Sequence, residues 1–166
     1  GLKRLKGDAK RAIKLLSSVV RSSSDRSFED YKNHLTALAA TEAYEKAGVS
    51  PADVDVAEVH DATAMGEIIQ VENLQLVGYG EAGRAAEAGE LTIGGRVPVN
   101  PSGGLESKGH PIGATGLGQV YELVTQLRGE AGRRQVEGAR IAIQENGGGI
   151  YGVEEATAVI NIFAMQ

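Results

Sequence analysis

The sequence predicts an α/β fold in which helices cover a mixed sheet. Apolar runs rich in β-branched residues alternate with segments of helical periodicity, in the order strand, helix, strand, helix, helix, strand, strand. This alternation, ending in two consecutive strands, is typical of α/β layers on a sheet with parallel and antiparallel neighbours. With 166 residues, 42% hydrophobic and 23% charged, the chain has the size and composition of one soluble domain over residues 1–166.

The first half of the chain contains two strand-and-helix pairs. Residues 12–20 form an apolar run that ends in β-branched residues and predicts a buried strand. Residues 33–48 place leucines and alanines on helical spacing and end in a glycine, which predicts a helix with a stop signal. Residues 54–59 alternate as a strand does and end in a His-Asp pair, and residues 64–77 predict the second helix.

The second half adds one helix and two strands. Residues 83–95 are glycine-rich and predict a surface excursion. Residues 139–143 and 156–163 predict two strands, which the glycine-rich loop 146–152 joins as antiparallel neighbours. One clean apolar stripe predicts the helix before these strands, formed by Leu117, Val120, Tyr121, Val124 and Leu127.

Composition excludes several classes of function. The formal net charge of −5 argues against a nucleic-acid partner, which needs a basic surface. No apolar run approaches the roughly 20 residues that span a bilayer. Cysteine is absent, so we expect neither a disulfide nor a thiolate-bound metal, and we expect a reducing, cytoplasmic location. The basic start of the chain, GLKRLKGDAKRAIK, lacks the apolar core of a secretory signal.

A glycine-rich stretch, residues 100–116, precedes the last helix. Its sequence, NPSGGLESKGHPIGATG, gives each glycine a different neighbour and continues into the apolar stripe, which is not typical of a flexible linker. The helix N-terminus offers unpaired N–H groups to an anion or a developing oxyanion. His110 lies just ahead of it, where a neutral imidazole can act as a base or a hydrogen-bond donor. A stiff turn whose histidine bonds only to backbone is the alternative.

These residues resemble a known signature. Residues 100–105, residues 108–116 and Gln119 are similar to the C-terminal half of the thiolase superfamily, in the branch related to sterol carrier protein x. The resemblance extends from the first strand to the last residue and includes residues 43–49 and 59–62. It implies one of two similar halves, each a layered, mixed five-stranded sheet with helices. The other half is not included in this sequence.

The resemblance implies a site for coenzyme A thioesters, with no metal and with the thioester as substrate in place of any cofactor. It assigns His110 to activating the nucleophile and lining an oxyanion hole, and His60 to holding a water or the thioester oxygen. The nucleophile is a cysteine of the N-terminal half. Substrate contacts are expected from Asp61, Gly109, Gly113, Asn146, Gly147 and Gly148.

One departure from the family pattern concerns the base. Thiolases usually carry a Cys-x-Gly near the end of the penultimate strand, whose thiol removes the α-proton of acetyl-CoA. Here that region reads Glu145-Asn146-Gly147-Gly148-Gly149. Some thiolase-like proteins of this branch act as retro-aldolases on CoA thioesters of steroid side chains, with tyrosines and a small OB-fold partner. Tyr151 is therefore a candidate catalytic phenol, with a solvent-facing turn tyrosine as the alternative.

Three functions follow from the resemblance. The first is acyl transfer between a 3-ketoacyl-CoA and CoA, with His110 and His60 serving a cysteine of the N-terminal half. The second is retro-aldol cleavage of a β-hydroxyacyl-CoA. The third is a non-catalytic subunit that holds a lipid thioester or a partner enzyme. In each case the expected partners are the N-terminal half and a second copy in a homodimer.

Other polar residues are expected to have ordinary roles. A zinc site at His60, Asp61 and His110 is a weak alternative, because the two histidines lie 50 positions apart and no third ligand motif is present. His34 is expected on a helix surface. Solvated or helix-face positions are expected for the carboxylates Glu58, Glu67 and Glu72, and no phosphate contact is required of the arginines Arg128, Arg133, Arg134 and Arg140.

Overall fold

The computed structural model describes residues 11–166, so most of the basic start of the chain, with its prediction of no secretory signal, lies outside the described residues. These residues form a mixed α/β fold, as the sequence predicts. The strands are β1 (Ile13–Ser22), β2 (Val56–Glu58), β3 (Ile141–Gly148) and β4 (Thr157–Met165). The helices are α1 (Leu35–Ala47), α2 (Ala64–Asn73), α3 (Ala82–Glu87), α4 (Gly104–Lys108) and α5 (Thr115–Leu127).

The sheet has the order β1-β4-β3-β2 and is mixed. β4 pairs antiparallel with both β1 and β3, and β2 pairs parallel to β3. The resemblance implies five strands, whereas the sheet formed by residues 11–166 has four. Beside β2, where a fifth strand would lie, Val99 forms a single bridge to Ala57. Pro98 has no N–H to donate, and Asn100 leaves the extended conformation with a φ of +49°. The ladder at this edge therefore stops after a single bridge.

Helices cover both faces of the sheet. One face carries α1, α2 and α3, and small α1 residues such as Ala39 and Ala43 pack against Ile160 and Ile162 of β4. The other face carries α5, whose Leu123 packs with the adjoining apolar side chains Leu127, Val56, Ala142 and Phe163. Because successive side chains of a strand point to opposite faces, β3 and β4 contribute to both cores. Burial of apolar surface on both faces fixes the strand register.

Two element predictions need correction. The run at residues 12–20 does form a strand, but β1 lies at the sheet edge, with Leu15 and Val20 exposed and only Ser17 and Val19 buried. Alternate side chains of β1 face away from α1, and the helix on the opposite face, α5, packs over β2, β3 and β4. The helix expected over residues 64–77 ends at Asn73, and the chain then adopts left-handed geometry at Gln75.

The buried face of α5 also differs from the predicted stripe. Leu117 and Tyr121 are each 72% exposed, whereas Gln119 and Gln126 are almost fully buried. The buried amides are paired: Gln119 Nε2 donates to the Glu145 carbonyl at 2.9 Å, and Gln126 Oε1 accepts from Val136 N at 2.8 Å. Because these bonds satisfy the polar groups, α5 can turn a polar face to the sheet and leave an apolar face uncovered by the described residues.

Candidate active site

Two histidines that lie 50 positions apart in the sequence meet at one end of the sheet. His60 directly follows the β2 region, and His110 lies in the turn ahead of α5. Their ring centroids are 4.9 Å apart with an interplanar angle of 65°. Both line a cavity of about 820 Å³, whose floor is formed by residues 146–150. A cavity of this size suits a small-molecule ligand.

The hydrogen bonds of the two imidazoles define their tautomers. His60 Nδ1 lies 2.6 Å from the carbonyl oxygen of Gly147, which can only accept, so Nδ1 carries the proton. His110 Nδ1 lies 2.6 Å from Thr115 Oγ1, and that hydroxyl donates to the Pro111 carbonyl at 3.3 Å. The Nδ1 of His110 therefore also donates. In the neutral form, each ring keeps an unprotonated Nε2 that can accept a proton.

Three buried side chains hold the His110 segment against the end of β2. Asn100 accepts from Val59 N through Oδ1 at 2.8 Å and donates through Nδ2 to Glu67 Oε2 at 2.9 Å. Glu58 accepts from the backbone N of Ser102 at 3.1 Å and from its hydroxyl at 2.8 Å. These bonds join residues more than 30 positions apart and bring the two histidine-bearing segments together.

Asp61 is the third of these anchors. Its side chain is buried, and Oδ1 accepts from the backbone N of Leu105 at 2.7 Å, at the first turn of α4. An ideal Cβ on Gly104 would overlap the Asp61 carboxylate, and the φ of Gly104 is +60°. Only glycine fits this approach. Asp61 thus holds the loop, and its side chain is not part of the cavity wall.

The glycine-rich end of β3 forms the floor of the cavity. Gly147 offers its carbonyl to His60, and Asn146 and Gly148 line the same cavity. Asn146 Oδ1 is buried and has no hydrogen-bond partner within residues 11–166. The absence of a side chain on Gly116 lets α5 approach, since a Cβ there would lie 3.1 Å from Asn146 Nδ2. An unsatisfied acceptor in the cavity wall is suited to a ligand donor.

The structure brings together five of the nine residues expected at the site: His60, His110, Asn146, Gly147 and Gly148. The remaining four lie outside the cavity lining. Gly109 borders a neighbouring depression, Gly113 is exposed, and Asp61 is buried beneath the loop. Tyr151 is half exposed, and its hydroxyl donates to Asp25 Oδ1 at 2.8 Å. That acceptor raises the pKa of the Tyr151 phenol.

Several polar residues expected at the surface are buried. Burial raises the pKa of Glu58 to about 6, against the opposing effects of Lys108 and Ser102. His34 is also buried and precedes α1 as its N-cap. A charged residue flanked by apolar strand residues, such as Glu58 between Ala57 and Val59, is the sequence signal for such burial.

Glu145 and Glu155 are site carboxyls that the sequence did not single out. Glu145 is completely buried and accepts from His60 N at 2.8 Å through Oε2, while its Oε1 has no partner in the part of the chain that the structure describes. Burial raises the pKa of Glu145 to about 8. The hydrogen bond from His60 N lowers this pKa, but by less than burial raises it. The charges of Glu155 and Asp61 raise it further. Glu145 is therefore protonated at neutral pH.

The pKa of Glu145 predicts a stability change with pH. An exposed glutamate has a pKa of about 4.3, so the raised folded-state value favours the folded form at low pH, and this stability is lost as pH rises towards 8. Glu58 acts in the same direction only up to about pH 6. We expect Glu145→Gln to abolish the decline in Tm between pH 6 and 8 and to raise stability at pH 8 by a few kcal/mol.

The control for Glu145→Gln is Glu137→Gln, which changes an exposed carboxyl. It should leave the pH dependence of Tm unaltered. If the Tm of Glu145→Gln declined between pH 6 and 8 as much as the wild-type Tm does, Glu145 would not titrate in this range.

Comparison with known proteins identifies the family. The family model described as "Thiolase C-terminal domain-like" matches residues 17–161. This chain belongs to that family. The resemblance carried by residues 100–119 is thereby confirmed, as is the thiolase C-terminal fold.

Among curated proteins, the chain is similar to acetyl-CoA acetyltransferase of Methanothermobacter thermautotrophicus, with 51% identity over 129 residues, covering 78% of this chain and 33% of that protein. It is 54% identical over 108 residues to sterol carrier protein 2 of Bos taurus, covering 65% of this chain and 20% of that protein. The thiolase C-terminal domain described here thus spans a third or less of the length of these relatives.

A solved structure shares the fold. The chain of an "Ltp2-ChsH2(DUF35) aldolase" superimposes with a TM-score of 0.72 at 22% identity, covering 90% of this chain and 39% of that chain. This likeness concerns the fold alone. Within residues 11–166, no helix is long and apolar enough to cross a membrane. The same residues contain no group of three or more His, Asp or Glu placed to hold a metal ion.

Proposed function

We propose that this thiolase C-terminal domain forms part of an acyl-CoA acyltransferase, acting in 3-ketoacyl-CoA thiolysis or in acetyl transfer between CoA thioesters. The observation that carries this proposal is the pair of imidazoles, each with Nδ1 bound to the protein and Nε2 left free, in a cavity floored by glycines. This arrangement suits proton transfer and oxyanion stabilisation around one carbonyl group.

His110 is proposed to activate the nucleophile. The described residues contain no cysteine, and the nucleophile is expected from the N-terminal half that the family implies. The free Nε2 of His110 takes the thiol proton, and the thiolate then attacks the thioester carbonyl. Thr115 Oγ1 accepts from Nδ1–H and so keeps the ring in the tautomer that can accept this proton.

His60 is proposed to act on the carbonyl oxygen. In its neutral tautomer, Nε2 accepts and cannot donate, so the ring binds a water O–H, and the other O–H of that water points to the oxyanion. When protonated, Nε2 itself donates to the oxyanion. Glu145 accepts a hydrogen bond from the backbone N of His60, and the Gly147 carbonyl accepts one from its ring. Both the backbone and the imidazole of His60 are therefore held in place.

The proposal also includes the substrate and the partner proteins. The substrate is a CoA thioester, with no other cofactor, and the cavity is lined by Asn146, whose buried Oδ1 has no hydrogen-bond partner among the described residues. The exposed apolar residues Leu117 and Tyr121 of α5 support a contact with the N-terminal half. A homodimer and a small OB-fold partner are the further expected contacts.

The second candidate function is retro-aldol cleavage of a β-hydroxyacyl-CoA. The observation in its favour is that the whole chain lacks cysteine, and with it the thiol base usual in thiolases. Tyr151 is the phenol that the sequence suggests for this reaction, but its hydroxyl is bound to Asp25 outside the cavity. Catalysis by Tyr151 would therefore require this turn to move. A non-catalytic thioester-binding subunit is the third candidate.

Product analysis distinguishes the candidates. The complete protein is offered a 3-ketoacyl-CoA with CoA and, separately, a β-hydroxyacyl-CoA, and the products are identified by mass spectrometry. Two shorter acyl-CoAs from the first substrate are the expected result. An aldehyde or ketone from the second would establish the aldolase instead. Binding of either thioester without any product would establish the non-catalytic subunit.

A further inference from the structure

The cavity of the two histidines contains one carboxylate for which neither the family pattern nor the sequence suggests a role. Glu155 lies two residues before β4 and lines the cavity together with Thr157 and Val159. Its side chain is 26% exposed, and among residues 11–166 it is the only ionisable residue that lines this cavity besides His60 and His110. A carboxylate that lines the same cavity as two imidazoles is a candidate for proton transfer.

Glu155 and His60 contact the same glycine. An ideal Cβ on Gly147 would lie 2.8 Å from Glu155 Cγ and 3.2 Å from Cδ, so the carboxylate rests against the Gly147 α-carbon. The carbonyl of Gly147 binds His60 Nδ1 at 2.6 Å. One glycine residue thus separates the carboxylate from the imidazole. A side chain at position 147 would displace Glu155 from the cavity wall.

One neutral donor binds the Glu155 carboxylate, and a second faces it. Gln70 Nε2 donates to Oε1 at 2.5 Å. His34 Nδ1 accepts from the backbone N of Thr36 at 3.2 Å, so the proton of the neutral ring is on Nε2, which faces Glu155 Oε2 at 3.4 Å. Burial lowers the pKa of His34, which favours this neutral form. At 3.4 Å the imidazole orients Oε2 without a formed hydrogen bond.

The charges around Glu155 come from several elements. Glu145 of β3 is protonated at neutral pH and adds no negative charge there. Glu154 is paired with Arg26 at 2.5 Å and is bound by the backbone N of Leu35. Glu155 therefore has no cationic partner within the described residues, since its other neighbours are the neutral His34 and Gln70.

We propose that Glu155 is the acid–base group that moves the α-proton of the acyl-CoA in this site, in place of a thiol. The inference rests on the proposed acyltransferase function and adds a catalytic residue to it. His34 and Gln70 are positioning residues, because they act through the carboxylate. Glu155 fits the role better than Tyr151, which lies outside the cavity lining.

The proposed step balances in the direction of condensation. Glu155 takes a proton from the α-carbon of the CoA thioester, and the C–H electron pair forms an enolate whose oxygen is stabilised at His60. The enolate carbon attacks the carbonyl of the acyl-enzyme formed on the cysteine. The tetrahedral alkoxide then collapses, the carbon–sulfur bond to the enzyme breaks, and the thiolate receives the proton from Glu155. No oxidant, reductant or metal is needed.

The test measures proton abstraction separately from acylation. The complete protein is incubated with acetyl-CoA in D₂O, and deuterium at the α-carbon is followed by mass spectrometry. Acyl-enzyme formation is measured in parallel from the mass of the intact protein. We expect Glu155→Gln to slow the exchange by about 100- to 10,000-fold, the range for loss of a general base, with acylation nearly unchanged. Glu155→Asp should recover part of the exchange rate.

The matched control is Glu137→Gln, which removes an exposed carboxyl that does not line the cavity. This variant should exchange the α-proton at the wild-type rate. Exchange in Glu155→Gln within about threefold of wild type would overturn the inference. Equal loss of acylation and exchange would also overturn it, because that pattern indicates a structural role. Wild-type protein that is not acylated by acetyl-CoA or by 3-ketoacyl-CoAs would instead overturn the acyltransferase proposal, and the inference with it.

Discussion

Replacing His110 by alanine is expected to lower kcat of the complete protein with a 3-ketoacyl-CoA and CoA by about 100- to 10,000-fold, the usual loss for a general acid–base. The free Nε2 of His110 would no longer take the thiol proton, whereas the loop remains anchored through Asn100, Asp61 and Glu58. Affinity for the acyl-CoA should therefore change little. Steady-state kinetics and equilibrium binding, measured on the same preparation, separate the two effects.

Variants of Thr115 test how His110 is activated. Thr115→Val removes the oxygen that accepts from His110 Nδ1 and should lower kcat less than loss of the imidazole does. Thr115→Ser keeps that oxygen and should retain most of the activity. If His110→Ala kept kcat within about threefold of wild type, the proposed proton transfer would be wrong. If the wild type had no turnover to lose, the chain would be a binding subunit.

The sequence predicts that His60 and the glycine-rich loop after Ile143 lie at the same edge of the sheet, because polar residues at strand ends collect there in α/β folds. That His110 joins them is implied only by the resemblance carried by residues 100–119. The antiparallel pairing of β3 with β4 likewise followed from two apolar runs joined by a glycine-rich loop. These features depend on local pattern, which a single sequence retains.

The buried polar residues could not be predicted in the same way. Glu145, Gln119 and Gln126 are inside because backbone groups distant in sequence complete their hydrogen bonds. Those partners exist only in the folded chain. The apolar stripe of α5 identified the face on the sheet only in part, because Leu127 packs there whereas Leu117 and Tyr121 lie on the uncovered side. Hydrophobicity indicates that a surface is covered, but not by which part of the protein.

Glu155 illustrates the same limit for the site. In the sequence it is the second of two adjacent glutamates, and nothing there distinguishes it from Glu154. The fold separates them, because Glu154 pairs with Arg26 while Glu155 turns to the cavity.

Gly104→Ala is expected to destabilise the protein by at least about 2 kcal/mol, a loss typical of a backbone clash combined with an unfavourable φ. The added Cβ would overlap Asp61, and a φ of +60° is strained for alanine. Gly83→Ala is the matched control, because the α3 position has open space and ordinary helical geometry, where alanine stabilises by about 0.5–1 kcal/mol. Thermal unfolding of both variants measures the difference.

Gly104→Ala should also lower activity, because the same clash acts on the site. Asp61 follows His60 directly and holds the first turn of α4, which leads to His110. Movement of the Asp61 carboxylate therefore shifts both imidazoles away from their 4.9 Å contact. A variant with wild-type Tm and wild-type kcat would show that the loop accommodates a side chain. Lost kcat at an unchanged Tm would show instead that Asp61 positions the histidines without contributing to stability.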